Sequence, residues 1–192
     1  MSSRLTDSAA LPIMGAASAA EPAARRARLE EDVVALFDQF REPLLRYLST
    51  FGLALADSEE VIQEVFLSLY QHLHRDKSRE NLRGWLFRVA HNLALKRRYR
   101  TRRDLAVWGE AGAEDVAIDP DPNPEDRLVN SQTQRRLLAV VQALPEQDRK
   151  CLSLRAEGLR YREIAEILSM SLGAVSLSLA RSLARMARSA ER

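Results

Sequence analysis

Apolar side chains recur every three or four residues over most of this chain, and this spacing constrains its fold more than any other feature. The first such stretch, within residues 29–51, contains Val33, Val34, Leu36, Phe37, Phe40, Leu44, Leu45, Tyr47, Leu48 and Phe51. This period places apolar residues on one face of an α-helix. Similar stretches begin near residues 57, 82, 125, 145, 161 and 172. Only seven glycines and few β-branched runs occur, so the predicted fold class is all-α.

One segment interrupts the helical pattern and divides the chain. Residues 119–124 read Asp-Pro-Asp-Pro-Asn-Pro, and alternate prolines exclude both a helix and a central strand. The sequence therefore predicts two helical domains joined by an acidic flexible linker. The predicted boundaries are a disordered tail at 1–28, a first domain at 29–103, the linker at 104–126 and a second domain at 127–192.

The N-terminal tail shares some features with a secretory signal. Arg4 precedes a short apolar stretch, and Ala17-Ser18-Ala19 resembles a small-residue cleavage site. However, a signal needs an uninterrupted apolar core of roughly 7–15 residues, whereas Pro12 and Gly15 interrupt this one. We expect a disordered tail rather than an export signal.

Charge is distributed in blocks of opposite sign, although the whole chain has a net charge of only +2. Residues 29–66 contain two basic and nine acidic residues, and residues 67–103 contain eleven basic and two acidic. Residues 104–126 contain eight acidic residues and no basic one. Such asymmetry favours contact with nucleic acid.

Several classes of function find no support in the sequence. The single Cys151 excludes an internal disulfide and a cysteine-based zinc site. No Ser/His/Asp set or glycine-rich phosphate loop is visible, and His72 and His74 are too close in sequence to share a helix face. We therefore expect no enzyme activity, no cofactor and no metal. Because no apolar run approaches the roughly 18 residues of a membrane span, we also expect a cytoplasmic protein without stable membrane insertion.

The helix predicted from about residue 82 to residue 102 has a dense run of basic residues: Arg88, Lys96, Arg97, Arg98, Arg100, Arg102 and Arg103. Such a run neutralises phosphates, and the interleaved aromatic residues suit stacking on unpaired bases. The alternative is a solvated basic face, with Trp85 in the core. For Trp85 alone, core packing is at least as well supported as stacking.

The helix that precedes this basic run has an acidic surface between Asp57 and Glu64. Because acidic side chains repel DNA, we expect this surface to contact either a protein or only water.

Residues 158–175 have the spacing of a helix-turn-helix. Ala165 is small enough for a second helix to cross closely, and Met170 and Val175 are placed to pack beneath the turn. A short turn sets the second helix at a steep angle, so that it can enter a major groove. An ordinary three-helix bundle is the alternative interpretation.

Four segments together resemble one family, the bacterial RNA polymerase sigma factors of the sigma-70 family. They are DSEEVIQEVF at 57–66, GWLFRVAHNLAL at 84–95, LPEQDR at 144–149 and YREIAEIL at 161–168. They occur in family order and at family spacing, and they span roughly residues 30–188. With no inserted middle domain, the domain content is similar to that of the extracytoplasmic-function (ECF) group.

The resemblance implies partners and site residues. A sigma factor binds core RNA polymerase and directs promoter recognition and melting for transcription initiation. Members of this group are commonly regulated by an anti-sigma factor. The linker between the two domains passes through the polymerase. Core polymerase would be bound by Asp57, Glu60, Gln63 and Glu64. The melted −10 strand would be bound by Arg79, Asn81, Trp85, Arg88, Asn92, Lys96, Arg97 and Arg100. The −35 duplex would be bound by Arg160, Tyr161, Ser171, Ala174, Ser176 and Arg181.

The second helix of the helix-turn-helix departs from the family pattern. Ser176, Ser178 and Leu183 stand where basic residues are expected, which predicts weaker DNA binding. Leu177, Leu179 and Leu183 would widen an apolar stripe suited to a protein partner. Two alternative functions therefore remain open. One is a sigma-like interaction protein that binds polymerase or an anti-sigma factor without strong −35 recognition, and the other is a helix-turn-helix repressor of duplex DNA.

Overall fold

The computed structural model describes residues 17–107 and 132–190, and within these ranges the chain forms helices and no strand. The helices are α1 (Ala17–Ser49), α2 (Leu55–His74), α3 (Leu82–Val107), α4 (Gln132–Gln142), α5 (Glu146–Ala156), α6 (Tyr161–Leu168) and α7 (Leu172–Ala190). The expected all-α fold class is confirmed.

Helix α1 begins at Ala17, within the stretch 1–28 that was predicted to be a disordered tail. Six of residues 17–28 are alanine, the strongest helix former, so local propensity extends the helix beyond its periodic part. Helix α1 also continues through Pro43. Residues 1–16 lie outside the described part.

Helices α1, α2 and α3 pack into the first helical domain. Its core consists of side chains that are almost fully buried: Leu44, Tyr47 and Leu48 from α1, Ile62, Val65 and Leu69 from α2, and Leu86, Phe87 and Ala90 from α3. Helix α2 begins two residues before Asp57, with Ala54 at the N-cap and no side-chain cap. Asp57 lies in the first turn, where the helix dipole favours an acidic side chain.

The predicted linker at 104–126 is only partly described. Helix α3 continues to Val107, and α4 begins at Gln132. The first four residues assigned to the linker are thus helical, and the rest of that prediction lies outside the described residues.

Helices α4 to α7 form the second helical domain, around Leu154, Ile164 and Val175. Helix α5 begins after Pro145, which occupies the N-cap position. It ends before Gly158, whose φ of +83° is a conformation that glycine adopts without strain. This turn places Leu159 fully inside the domain.

The two helical domains contact each other along a surface that we call the domain seam. Helix α5 meets α1, and α6 meets α3. The Lys150 ammonium nitrogen lies 3.9 Å from the centre of the Phe51 ring. Three ion pairs also cross the seam: Arg46–Glu157, Arg88–Glu166 and Arg98–Glu146.

Candidate functional site

Helices α6 and α7 form a helix-turn-helix. Their axes meet at 104° across the turn 169–171, which Ser169 enters in the left-handed conformation with a φ of +53°. The Met170 amide donates a hydrogen bond of 2.9 Å to the Ala165 carbonyl oxygen. Ala165 and Val175 are buried beneath the turn. The predicted motif and its packing positions are confirmed.

Helix α7 positions most of the residues that were predicted to read the −35 duplex. The Ser171 hydroxyl oxygen accepts a hydrogen bond of 3.1 Å from the Ala174 amide and so caps the start of the helix. Ser176 is exposed two residues later. Arg181 is half exposed and donates a hydrogen bond of 3.0 Å to Asp148. Ser171 and Ser176 are thus exposed near the start of α7, and Ala174 is partly exposed there, with Ala174 and Ser176 on either side of the buried Val175.

The two remaining −35 candidates lie at the start of α6. The Glu163 carboxylate accepts a hydrogen bond of 2.5 Å from the Arg160 amide, which leaves the Arg160 side chain exposed. Tyr161 is 41% exposed, and the Arg155 guanidinium lies 5.6 Å from the centre of its ring. Both candidates are accessible from solvent.

Ser178 is not on the surface that the sequence suggested. Its side chain is fully buried, and its hydroxyl donates a hydrogen bond of 2.7 Å to Asp148. Burial acts to raise the pKa of Asp148, but hydrogen bonds from Arg181 and Ser178 outweigh it, so the pKa lies below its ordinary value. Ser178 is therefore a core residue. The presence of serine instead of a basic residue at this position does not remove a DNA contact from the outer face of α7.

The apolar stripe that was expected on α7 is narrower than predicted. Leu177 and Leu183 are 56% and 57% exposed, whereas Leu179 is only 2% exposed. Leu179 points inward because it lies one helical turn after the buried Val175. Leu177 and Leu183 are thus the exposed members of the stripe.

The acidic surface of α2 has two parts. Gln63 and Glu64 are exposed, whereas Asp57 and Glu60 both bind Arg97 of α3. The Arg97 Nη2 atom lies 2.5 Å from Asp57, and Nη1 lies 2.7 Å from Glu60. The hydrogen bond with Asp57 is the main cause that raises the pKa of Arg97. Asp57 and Glu60 are therefore partly neutralised within the chain.

The basic run of α3 is likewise divided. Lys96, Arg100 and Asn92 are exposed. Arg97 is engaged by α2, and Arg88 pairs with Glu166 across the domain seam. Two of the α3 basic residues predicted to bind the −10 strand thus have acidic partners inside the chain.

The loop between α2 and α3 and the first turn of α3 hold the remaining −10 candidates. Trp85 is half-buried against the core, and its ring centre lies 4.8 Å from that of His72. The Asn81 side-chain oxygen accepts a hydrogen bond of 3.2 Å from the Gly84 amide, so Asn81 caps α3. Arg79 lies 2.6 Å from Asp32 of α1. One part of the Trp85 side chain is packed against the core and another is accessible, so core packing is observed and base stacking stays a prediction.

Sequence reasoning missed Glu146 and Glu166. They bind the basic helix α3 from the opposite domain. Arg98 is the first cause that lowers the pKa of Glu146, to about 2. No motif in the sequence indicates these contacts, because the partners are 48 and 78 residues apart.

Within residues 17–107 and 132–190, no three His, Cys, Asp or Glu side chains are grouped so that they could hold a metal ion. No single helix in that part of the chain is long and apolar enough to cross a bilayer. Only α6 and α7 taken together, across their bend, reach that length and composition.

Two all-helical domains, the second ending in a helix-turn-helix, place the chain in the class of multi-helical helix-turn-helix proteins. Comparison with known families is more specific: residues 36–104 match the family model for Sigma-70 region 2, and residues 134–186 match that for Sigma-70, region 4. The chain belongs to the sigma-70 family, and its relatives place it in the extracytoplasmic-function group.

Curated relatives include the probable RNA polymerase sigma factor RfaY of Xanthomonas campestris, which is 33% identical over 133 residues. That match covers 68% of this chain and 33% of RfaY. The ECF RNA polymerase sigma-E factor of Escherichia coli K12 is 29% identical over 126 residues, covering 62% of this chain and 66% of that protein. The chain thus spans between one third and two thirds of the length of these relatives.

Solved structures share the fold. The sigma factor RpoE of Bartonella quintana, solved with the anti-sigma factor NepR, superposes with a TM-score of 0.60 at 18% identity. That superposition covers 82% of this chain and 97% of RpoE. CnrH, solved with the cytosolic domain of CnrY, has a TM-score of 0.52 at 21% identity, covering 85% and 92% of the two chains.

Proposed function

We propose that this protein is a promoter-specificity subunit that binds core RNA polymerase and directs promoter recognition and melting. The observation that carries the proposal is the match to both sigma regions in their family order. In this function the protein contributes binding surfaces and performs no chemistry of its own. Its place of action is the cytoplasm, where it meets polymerase and promoter DNA.

The polymerase contact is assigned to the acidic surface of α2. Gln63 and Glu64 are its exposed members and would make direct contacts. Asp57 and Glu60 already bind Arg97, so part of their contribution is to orient α2 against α3.

The melted −10 strand is assigned to α3 and the loop before it. Lys96 and Arg100 offer exposed charges for phosphates. The accessible part of the Trp85 ring offers a surface on which a base can stack. Arg79 and Asn81 border this surface on the loop.

The −35 duplex is assigned to the start of α7, in the docking geometry of a recognition helix. Ser171, Ala174 and Ser176 offer hydroxyl and methyl groups rather than charges. Because a charged side chain is needed for bidentate recognition of guanine, we expect modest −35 affinity. Arg160 and Tyr161 would contact the backbone of the same duplex.

An anti-sigma factor is proposed as a regulatory partner. The proposal is supported by the two similar structures, in which the sigma factor RpoE is in complex with the anti-sigma factor NepR and CnrH is in complex with the cytosolic domain of CnrY. The exposed Leu177 and Leu183 offer apolar contacts of the kind that such a protein would bury.

In vitro transcription tests the proposal. The full chain is added to core polymerase on a library of genomic fragments, and start sites are mapped. We expect initiation at discrete sites, with permanganate-reactive thymines just upstream of each. Absence of promoter-dependent initiation from every fragment would refute the function.

One alternative is favoured by a specific observation, the lack of basic residues at Ser176 and Leu183 of α7. In that case the chain binds polymerase or an anti-sigma factor without strong −35 recognition. Co-elution with core polymerase without permanganate reactivity would support it. A duplex repressor would instead shift duplex DNA in a gel without polymerase.

A further inference from the structure

A groove with a cavity volume of about 1050 Å³ lies between the start of α1 and the loop that follows α2. We call it the α1–loop groove. Five basic side chains line it: Arg25, Arg26, Arg28, Lys77 and Arg79. Only Arg79 was singled out by the sequence, because the other basic residues belong to the predicted tail or stand outside any motif.

Exposed ion pairs bridge the two walls of the groove. Arg25 binds Asp76, and the Arg79 Nη1 atom lies 2.6 Å from the Asp32 Oδ2 atom. The His72 Nε2 atom lies 2.9 Å from the Ser78 carbonyl oxygen, which fixes the loop to the end of α2. The groove is therefore a formed feature of the first domain.

The lining has a surplus of positive charge. Asp32 and Asp76 are its acidic members against five basic side chains. The pair between Arg25 and Asp76 is highly exposed, at 69% for each side chain. Exposed ion pairs contribute little, typically about 0–1 kcal/mol, so an incoming anion can replace the aspartate. Guanidinium groups match the geometry of phosphate oxygens, which they bind through two parallel hydrogen bonds.

We propose that the α1–loop groove binds phosphates of single-stranded promoter DNA beyond the contacts of α3. This inference rests on the proposed function. Its main support is continuity, since Arg79 lines the groove and also belongs to the surface assigned to the −10 strand. The volume reaches the upper end of the usual range of about 300–1,000 Å³ for ligand pockets, so it has room for a segment of strand rather than one phosphate.

The test uses holoenzyme assembled from the full chain and core polymerase. The probe is a mapped promoter in which the −10 non-template strand is left single-stranded, and its affinity is measured as a function of salt. Each single-strand phosphate contact contributes about 0.7 to the slope of log K against log salt. Losing two contacts in the double variant Arg25→Gln/Arg28→Gln should lower the slope by about 1.4. The ratio of the wild-type affinity to the variant affinity should then fall about sevenfold between 50 and 200 mM salt.

A second variant, which should strengthen DNA binding, distinguishes a lost DNA contact from a misfolded chain. Asp76→Asn removes the acidic partner of Arg25, and asparagine tolerates the φ of +53° at this position. We expect this variant to bind the probe more tightly than wild type, with a steeper salt slope. A methylphosphonate scan of the strand should find linkages whose neutralisation weakens wild type but not Arg25→Gln/Arg28→Gln.

The double variant Arg135→Gln/Arg136→Gln on α4 is the matched control, since it removes the same charge from exposed positions. If the groove variant changes the slope no more than this control, the inference is wrong. If it weakens binding to core polymerase without DNA, the groove is a protein surface and the inference is also wrong. If holoenzyme with the wild-type chain forms no open complex, the proposed function itself is wrong. If wild type forms an open complex and the groove variant matches the control, only the inference about the groove is wrong.

Discussion

His91 is a buried imidazole on α3 that faces the second domain. Its Nδ1 atom shares a hydrogen bond of 2.7 Å with the Tyr47 hydroxyl, and its side chain is only 7% exposed. Burial is the first cause that lowers the pKa of His91, to about 4, and the positive charge of Lys150 adds to it. The neutral form of His91 is therefore the one that the fold requires.

This residue predicts a loss of stability in mild acid. The pKa of an unfolded histidine is about 6.5, so between pH 6.5 and pH 4 the unfolded chain binds more protons than the folded one. The contribution of His91 to the free energy of unfolding is fully present above pH 6.5. It falls by about 2–3 kcal/mol as the pH drops to 4. Chemical unfolding across this range should show a flatter acid limb in His91→Gln than in wild type.

The exposed His74 supplies the control for that experiment. His74→Gln removes an imidazole from an exposed position rather than from the core, so its acid limb should stay steeper than that of His91→Gln. An acid limb in His91→Gln that matches wild type would contradict the assignment.

Glu64 offers a second prediction at the scale of one residue. Its side chain is exposed on α2, so Glu64→Lys should weaken core polymerase binding by charge reversal while leaving the melting temperature within about 2 °C. Affinity for core polymerase is the measurement. Glu31→Lys, at an exposed position of α1, is the control. Equal affinities for the two variants would argue against polymerase docking through α2.

At the scale of the element, α7 carries two serines of different character. Ser176 is exposed near the start of the helix, whereas Ser178 is fully buried and hydrogen-bonded to Asp148. Because successive residues on a helix point about 100° apart, a shift of two positions moves a side chain from the outer surface to the core.

The two serines should therefore respond in different assays. Ser178→Ala should lower the free energy of unfolding by about 1–3 kcal/mol, because it removes a hydrogen bond to a buried carboxylate. Ser176→Lys should leave stability unchanged and strengthen promoter binding by holoenzyme, with the salt slope steeper by about 0.9. Ser176→Ala controls for loss of the hydroxyl. A large loss of stability in Ser176→Lys would show that position 176 contacts the rest of the protein, which would contradict its place on the outer surface.

At the scale of the whole molecule, the domain seam engages a residue that we propose for DNA binding. Arg88 is assigned to the −10 strand, yet it binds Glu166 of α6. Arg46 binds Glu157 through hydrogen bonds of 2.9 and 3.1 Å. A strand that engages Arg88 must displace its acidic partner, so DNA binding and the closed arrangement oppose each other.

Opening the seam should therefore expose the basic helix. The double variant Glu157→Lys/Glu166→Lys replaces two attractions by repulsions, and we expect a larger radius of gyration by small-angle scattering. The affinity of the full chain for single-stranded DNA should rise at the same time. Glu31→Lys/Glu42→Lys makes the same change of charge on α1, away from the seam, and should leave the radius of gyration unchanged. An unchanged radius in the seam variant would contradict the prediction.

Much of this architecture follows from local pattern. The three- and four-residue spacing predicts the helices, and Gly158 predicts the end of α5, because these signals act within one or two turns of chain. The start of α1 was placed too late because an alanine-rich segment forms helix without an apolar stripe. The placement of Ser178 on the DNA-facing surface was wrong. The family resemblance indicates which residue types to expect, but it does not indicate how α7 is rotated about its axis in this core.

The sequence by itself determined the all-α class, the helix-turn-helix and membership of the sigma-70 family, since each depends on residues that lie near one another in the chain. Only the tertiary structure decided which charges remain available. Asp57 and Glu60 neutralise Arg97 from another helix, and Glu166 neutralises Arg88 from another domain. The block charges of the sequence describe composition, whereas the field at a surface depends on distances between side chains. Those distances are fixed only when the helices pack.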